Sequence, residues 1–125
     1  MQRSSGYVAV VDDDASTRKA LARLLRTRGV DCRSYPSACA FLEALPSGVP
    51  DCLILDVNMP EMTGLELQSE LLKLGIHVPT IVITASADER IAANAASLGA
   101  AAFLTKPLAQ DALMAAINSA AKRLN

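Results

Sequence analysis

The sequence predicts an α/β fold, a parallel sheet with helices packed on both of its faces. Short apolar runs alternate with amphipathic stretches from one end of the chain to the other. The runs are continuously apolar rather than alternating in polarity, which marks strands buried on both sides. Polar residues able to do chemistry recur where those runs end, and sheets of this kind bind their ligands beyond the carboxyl ends of the strands.

Tyr7 to Val11 is the first such run. Ser16 to Arg28 places Ala20, Leu21, Leu24 and Leu25 on one face, with Arg18, Lys19, Arg23 and Arg26 largely on the other. This is an amphipathic helix, capped near Asp14 or Ser16 and stopped by Gly29. Residues 30–35 form a weaker strand, expected at the sheet's edge. A helix starts at Ser37, carries Ala40, Phe41, Leu42 and Leu45, and ends at Pro46-Ser47-Gly48. Asp51 to Asp56 is the third strand, followed by the loop Val57 to Thr63 and a leucine-rich helix from Gly64 to Leu74. Pro79 to Thr84 is a β-branched strand, Asp88 to Leu98 a helix stopped by Gly99, and Ala101 to Thr105 the fifth strand. Residues 108–123 make the last helix, with Leu108, Leu113, Ala116, Ile117 and Ala120 as its inner face.

A chain of 125 residues is expected to be one domain, residues 1–125, with no linker, repeat or low-complexity tract. Half of it is hydrophobic and only 3% aromatic, so the core is aliphatic. A net charge of −1 argues against nucleic-acid binding by this domain, which needs a basic patch. Cys32, Cys39 and Cys52 form no Cys-x-x-Cys pair and fit buried thiols in a reducing compartment. Met1-Gln2-Arg3 is not followed by an apolar stretch of signal-peptide length, and no run of about 18 apolar residues exists. The expectation is a soluble, cytoplasmic domain with no membrane contact.

Acids dominate the strand ends. Val10-Val11 leads into Asp12-Asp13-Asp14, and Leu53-Ile54-Leu55 leads into Asp56. On neighbouring parallel strands Asp12, Asp13 and Asp56 would meet and repel one another unless a hard cation sat among them, and oxygen ligands of this kind suit Mg²⁺. Thr84 closes the fourth strand and Lys106 follows the fifth. Acids, a hydroxyl and a lysine on separate strand ends make a phosphoryl-accepting pocket. Asp14 reads as a helix cap or a solvated loop charge, and His77 as a surface residue.

The segments Val10-Val11-Asp12-Asp13, Leu55-Asp56-Val57-Asn58-Met59-Pro60, Thr63-Gly64, Thr84-Ala85, Gly99-Ala100 and Lys106-Pro107 stand in the order found in one family. Over residues 7–123 the chain resembles the receiver domain of two-component response regulators. Ser37 to Pro46 and Phe103 to Pro107 look most like the FixJ-like subfamily. The resemblance implies a flavodoxin-like doubly wound sheet of strand order 2-1-3-4-5 with five helices on both faces. It makes Asp56 the phosphoacceptor for a sensor histidine kinase, with Mg²⁺ held by Asp12, Asp13, Asp56 and the backbone carbonyl of Asn58. It has Lys106 pair with a phosphoryl oxygen and Thr84 donate its hydroxyl to another. It also implies a cis bond before Pro107.

Phe103 matches the family's aromatic switch position, although a core phenylalanine at a strand end explains it as well. The basic face of the first helix is a solvated surface or a kinase-docking one. Residues 88–124 form an alanine-rich face suited to homodimer or partner contact, though helix propensity accounts for the alanines too. Receivers of this subfamily usually precede a helix-turn-helix domain, and phosphoryl lifetime is expected to depend on water access past Asn58 and Ser86. Such a domain is a switch rather than an enzyme, catalysing only its own phosphorylation and dephosphorylation. The rival reading is an aspartate-nucleophile phosphatase of haloacid-dehalogenase type. It wants a general acid two residues after the nucleophile, where this chain has Asn58. A nucleotide or flavin binder is disfavoured by the lack of a glycine-rich phosphate loop.

Overall fold

The computed structural model describes residues 6–85 and 88–122. Its elements are β1 (Val8–Val11), α1 (Ala15–Thr27), β2 (Cys32–Tyr35), α2 (Ala38–Ala44), a 3₁₀ turn (Leu45–Ser47), β3 (Cys52–Asp56), α3 (Gly64–Lys73), β4 (Thr80–Thr84), α4 (Glu89–Ser97), β5 (Ala100–Thr105) and α5 (Gln110–Lys122). The strands form one parallel sheet in the order β2-β1-β3-β4-β5, so the α/β expectation and its strand order hold.

Every residue of β1, β3 and β4 is buried, as continuous apolar runs require. On one face Val8, Val10, Ile54, Ile81 and Ile83 pack against Leu21 and Leu25 of α1 and Leu113 and Ile117 of α5. On the other, Ala9, Val11, Leu53 and Leu55 meet Phe41, Leu67 and Leu71 of α2 and α3, while Val82 meets Ala95 of α4. The leucines of α3 and its cap divide unevenly: Leu67 and Leu71 are buried, whereas Leu72 and the capping Leu74 are about half exposed. Gln68 is buried among them, and its Nε2 donates to the Ala95 carbonyl at 3.3 Å.

Several boundaries move for local reasons. β2 starts at Cys32 rather than residue 30 because the Val30 N–H closes the end of α1 on the Leu25 carbonyl at 2.9 Å, with Gly29 at φ 74° making the turn. Pro46 does not merely end α2; it lies in the opening turn of the 3₁₀ segment, where an N–H needs no partner in the helix. Asp14 is the α1 cap, accepting from Ser16 N at 3.0 Å, and Ser37, Thr63 and Asp88 cap α2, α3 and α4 in the same way. The cysteines are not uniformly buried. Cys52 is, Cys32 is half-buried and Cys39 is exposed. Residue 123 of the expected last helix, residues 123 and 124 of the alanine-rich face, and Ser86 lie outside the described residues.

Candidate functional site

The register carries the acids together. Val11 pairs with Leu55, so Asp12 and Asp56 follow side by side where β1 and β3 end. One carboxylate oxygen from each of Asp12, Asp13 and Asp56 lies within 4.8 Å of the others. Asp12 and Asp56 are buried and Asp13 is exposed. Across the sheet Thr84 pairs with Thr105, which brings Lys106 to the same edge. The Lys106 N–H donates to the Thr84 carbonyl at 2.8 Å, and the Lys106-Pro107 bond is cis, as expected.

Lys106 Nζ donates to Asp12 Oδ2 at 3.1 Å and stands 3.7 Å from Asp56 Oδ1. Burial pushes the Asp56 carboxyl up to about 6, helped by the charge on Asp12 and opposed by Lys106. Burial pulls Lys106 the other way, toward the neutral amine. Its hydrogen bond to Asp12 and the Asp56 charge outweigh that, so it is held above the ordinary lysine value. Asp14 falls below the usual carboxylate range through hydrogen bonds from the Thr17 hydroxyl and the Ser16 amide, which suits a cap and leaves it out of the cluster. Thr84 is fully buried, and its Oγ1 is 3.5 Å from Asn58 Nδ2, the outer limit of a hydrogen bond. Phe103 is half-buried beside Val82, Ala95 and Ile91 on the α4 side of the sheet.

The donor set at the cluster is all oxygen and all anionic, which fits a hard divalent cation such as Mg²⁺ and no soft metal. Among the described residues, Asp12, Asp13 and Asp56 are the acidic side chains grouped closely enough to hold one.

One contact and one close approach do not show in the sequence. Arg18 reads as part of a solvated or kinase-docking face, yet its Nη1 donates to the Asp12 backbone carbonyl at 2.7 Å. Its spacing from Asp12, one helical turn past the cap, was the available signal. Gly64 opens α3 directly against the end of β3. A Cβ there would collide with the Asp56 carbonyl oxygen and stand 3.0 Å from Val57 Cα. Thr63-Gly64 is one of the segments that carry the resemblance, but only the return of the 57–63 loop shows why a glycine is needed there.

A doubly wound sheet that gathers acids, a threonine and a lysine at its carboxyl edge has the build of a two-component signalling domain. Residues 8–118 match the response regulator receiver domain, and the chain belongs to that family. It is similar to the response regulator protein TmoT of Ectopseudomonas mendocina, 39% identical over 122 residues covering 98% of this chain and 56% of that protein. It is also similar to the transcriptional regulatory protein FixJ of Azorhizobium caulinodans, 43% identical over 119 residues covering 93% of this chain and 55% of that one. The crystal structure of FixJ-N superposes with a TM-score of 0.87 at 36% identity, covering 100% of this chain and 98% of that one. The chain thus spans about half the length of the curated relatives it matches. The match is to a signalling domain and gives no support to the phosphatase alternative. Among the described residues no helix is long and apolar enough to cross a membrane.

Proposed function

We propose that residues 1–125 form one receiver domain in which Asp56 accepts a phosphoryl group from a phosphohistidine of a sensor histidine kinase. The observation that carries this reading is the trio of carboxylate oxygens within 4.8 Å, with Lys106 spanning Asp12 and Asp56. The Asp56 carboxylate attacks phosphorus, and an O–P bond forms as the P–N bond of the donor breaks. Its pKa of about 6 leaves it mainly ionised, and so nucleophilic, at neutral pH. Lys106 is placed to take one oxygen of the incoming group as a compact cation, and the Thr84 hydroxyl another. Asp12, Asp13, Asp56 and the Asn58 carbonyl would hold Mg²⁺, which when bound offsets charge on the transferring oxygens. Phe103, against α4, is assigned the role of reporting the change at Thr84 to the face built by residues 88–124, where a homodimer or partner would form. The domain acts as a switch in the cytoplasm and turns over nothing but its own phosphoryl group. With a net charge of −1 it binds no nucleic acid itself.

Incubation with acetyl phosphate and Mg²⁺, followed by intact-mass measurement, tests the assignment. The parent gains one phosphoryl mass and Asp56→Asn gains none. Labelling that persists undiminished in Asp56→Asn rules Asp56 out.

A further inference from the structure

Asp12 is held at every polar group it owns. Its N–H donates to the Tyr35 carbonyl at 3.2 Å, its Oδ1 accepts from Asp14 N at 2.9 Å, and its Oδ2 accepts from Lys106. Its backbone carbonyl accepts from Arg18 Nη1 at 2.7 Å, the shortest of these contacts. That carbonyl belongs to the peptide group joining Asp12 to Asp13. Asp13 differs from its neighbour in being exposed, so packing does not fix its carboxylate. The placement of Asp13 therefore depends on the backbone that carries it, and Arg18 holds that backbone at the peptide next to it. A hydrogen bond from a charged donor is the stronger sort.

We propose that Arg18 is a positioning residue for the acid cluster: by clamping the Asp12–Asp13 peptide, it aims the Asp13 carboxylate at the divalent cation. This rests on the reading of the cluster as a Mg²⁺ site. A simple charge effect would have the opposite sign. A guanidinium near three carboxylates weakens their attraction for a cation, so removing it should tighten binding if charge were all that mattered.

The test is a Mg²⁺ titration of the whole chain without phosphodonor, followed by amide chemical shifts, in the parent, Arg18→Met, Arg18→Lys, Asp13→Ala and the Asp13→Ala/Arg18→Met pair. Arg18→Met is expected to weaken Mg²⁺ binding about fivefold to tenfold, the scale of one ordinary hydrogen bond, because Arg18 acts on the cation only through Asp13. Arg18→Lys, which keeps a donor and the charge, recovers part of it. In the Asp13→Ala background the Arg18→Met change should have no further effect, because the residue through which it acts is gone. A merely structural role would lower the melting temperature without this coupling. Should Arg18→Met fail to fold, Arg18→Gln carries the same comparison. Unchanged or tighter binding in the Arg18 variant overturns the proposal, as does an equal loss with and without Asp13. A parent that binds no Mg²⁺ overturns the metal reading and this inference with it, while parent binding that ignores Arg18 overturns the inference alone.

Discussion

Asp56 is a carboxylate that folding puts where it is easier to be neutral. With its pKa raised to about 6 by burial and by Asp12, the native metal-free chain holds a proton between pH 4 and 6 that the unfolded chain releases. Stability from this group is therefore greatest at low pH and is lost as pH rises through 6. Above that the ionised carboxylate costs about 3 kcal/mol. In metal-free urea titrations Asp56→Asn should thus be more stable than the parent at pH 7.5, with the advantage shrinking as pH falls from 6 to 4. Excess Mg²⁺ should narrow the gap at pH 7.5. An advantage that does not change with pH would refute the account. At this scale the residues that meet at the sheet edge were legible, because Asp12, Asp13, Asp56, Thr84 and Lys106 each stand at or just past the end of a recognisable apolar run. Arg18 was not, because its partner is a backbone carbonyl, and its spacing from the helix cap is the only trace of that contact in the sequence.

Elements were legible where a repeating pattern writes them. Runs without polar interruption became strands, and the stops at Gly29 and Gly75 became helix ends in which the next N–H folds back on the helix. The reading erred where one hydrogen bond arbitrates, as at Val30, which leaves β2 to begin two residues later than expected. The start of α3 is the sharper case. Gly64→Ala should cost roughly 2 kcal/mol or more, since its methyl group must displace the backbone at the end of β3. Gly29→Ala, with open space around the added carbon, meets only the left-handed backbone penalty of about 1 kcal/mol. Paired urea melts of the two variants check the ranking. Equal losses would mean that the loop after Asp56 gives way freely, and that this helix start does not fix the acceptor's backbone.

For the molecule as a whole, the expected event is a shift between two states. Moving a population from mostly one to mostly the other takes roughly 5 kcal/mol, within reach of two or three charge-assisted contacts that exist only with a phosphoryl group present. Thr84 is the group best placed to couple site and face. It is buried, shares a strand pairing with Thr105 just before Lys106, and stands on the strand beside Phe103. Thr84→Ala should still accept phosphate at Asp56 yet switch poorly. Amide shifts with and without beryllofluoride decide it: full switching in the variant, or none across residues 84–108 in the parent, ends the idea. The architecture was the most legible level of all, because alternation of strand and helix leaves few connected topologies. The use of the face built by residues 88–124 was the least, since exposed alanines serve helix formation and close contact alike.

The ion pair of Lys106 with Asp12 joins positions 94 residues apart. A ribosome releases the amino end first, so all three acids exist in the growing chain well before the lysine is made. Distant pairings of this kind close late, after the intervening loop entropy has been overcome. A nascent or prematurely ended chain therefore carries the carboxylates without their cation. On the proposed reading it takes up no phosphoryl group, and the capacity to receive one arrives together with the finished sheet.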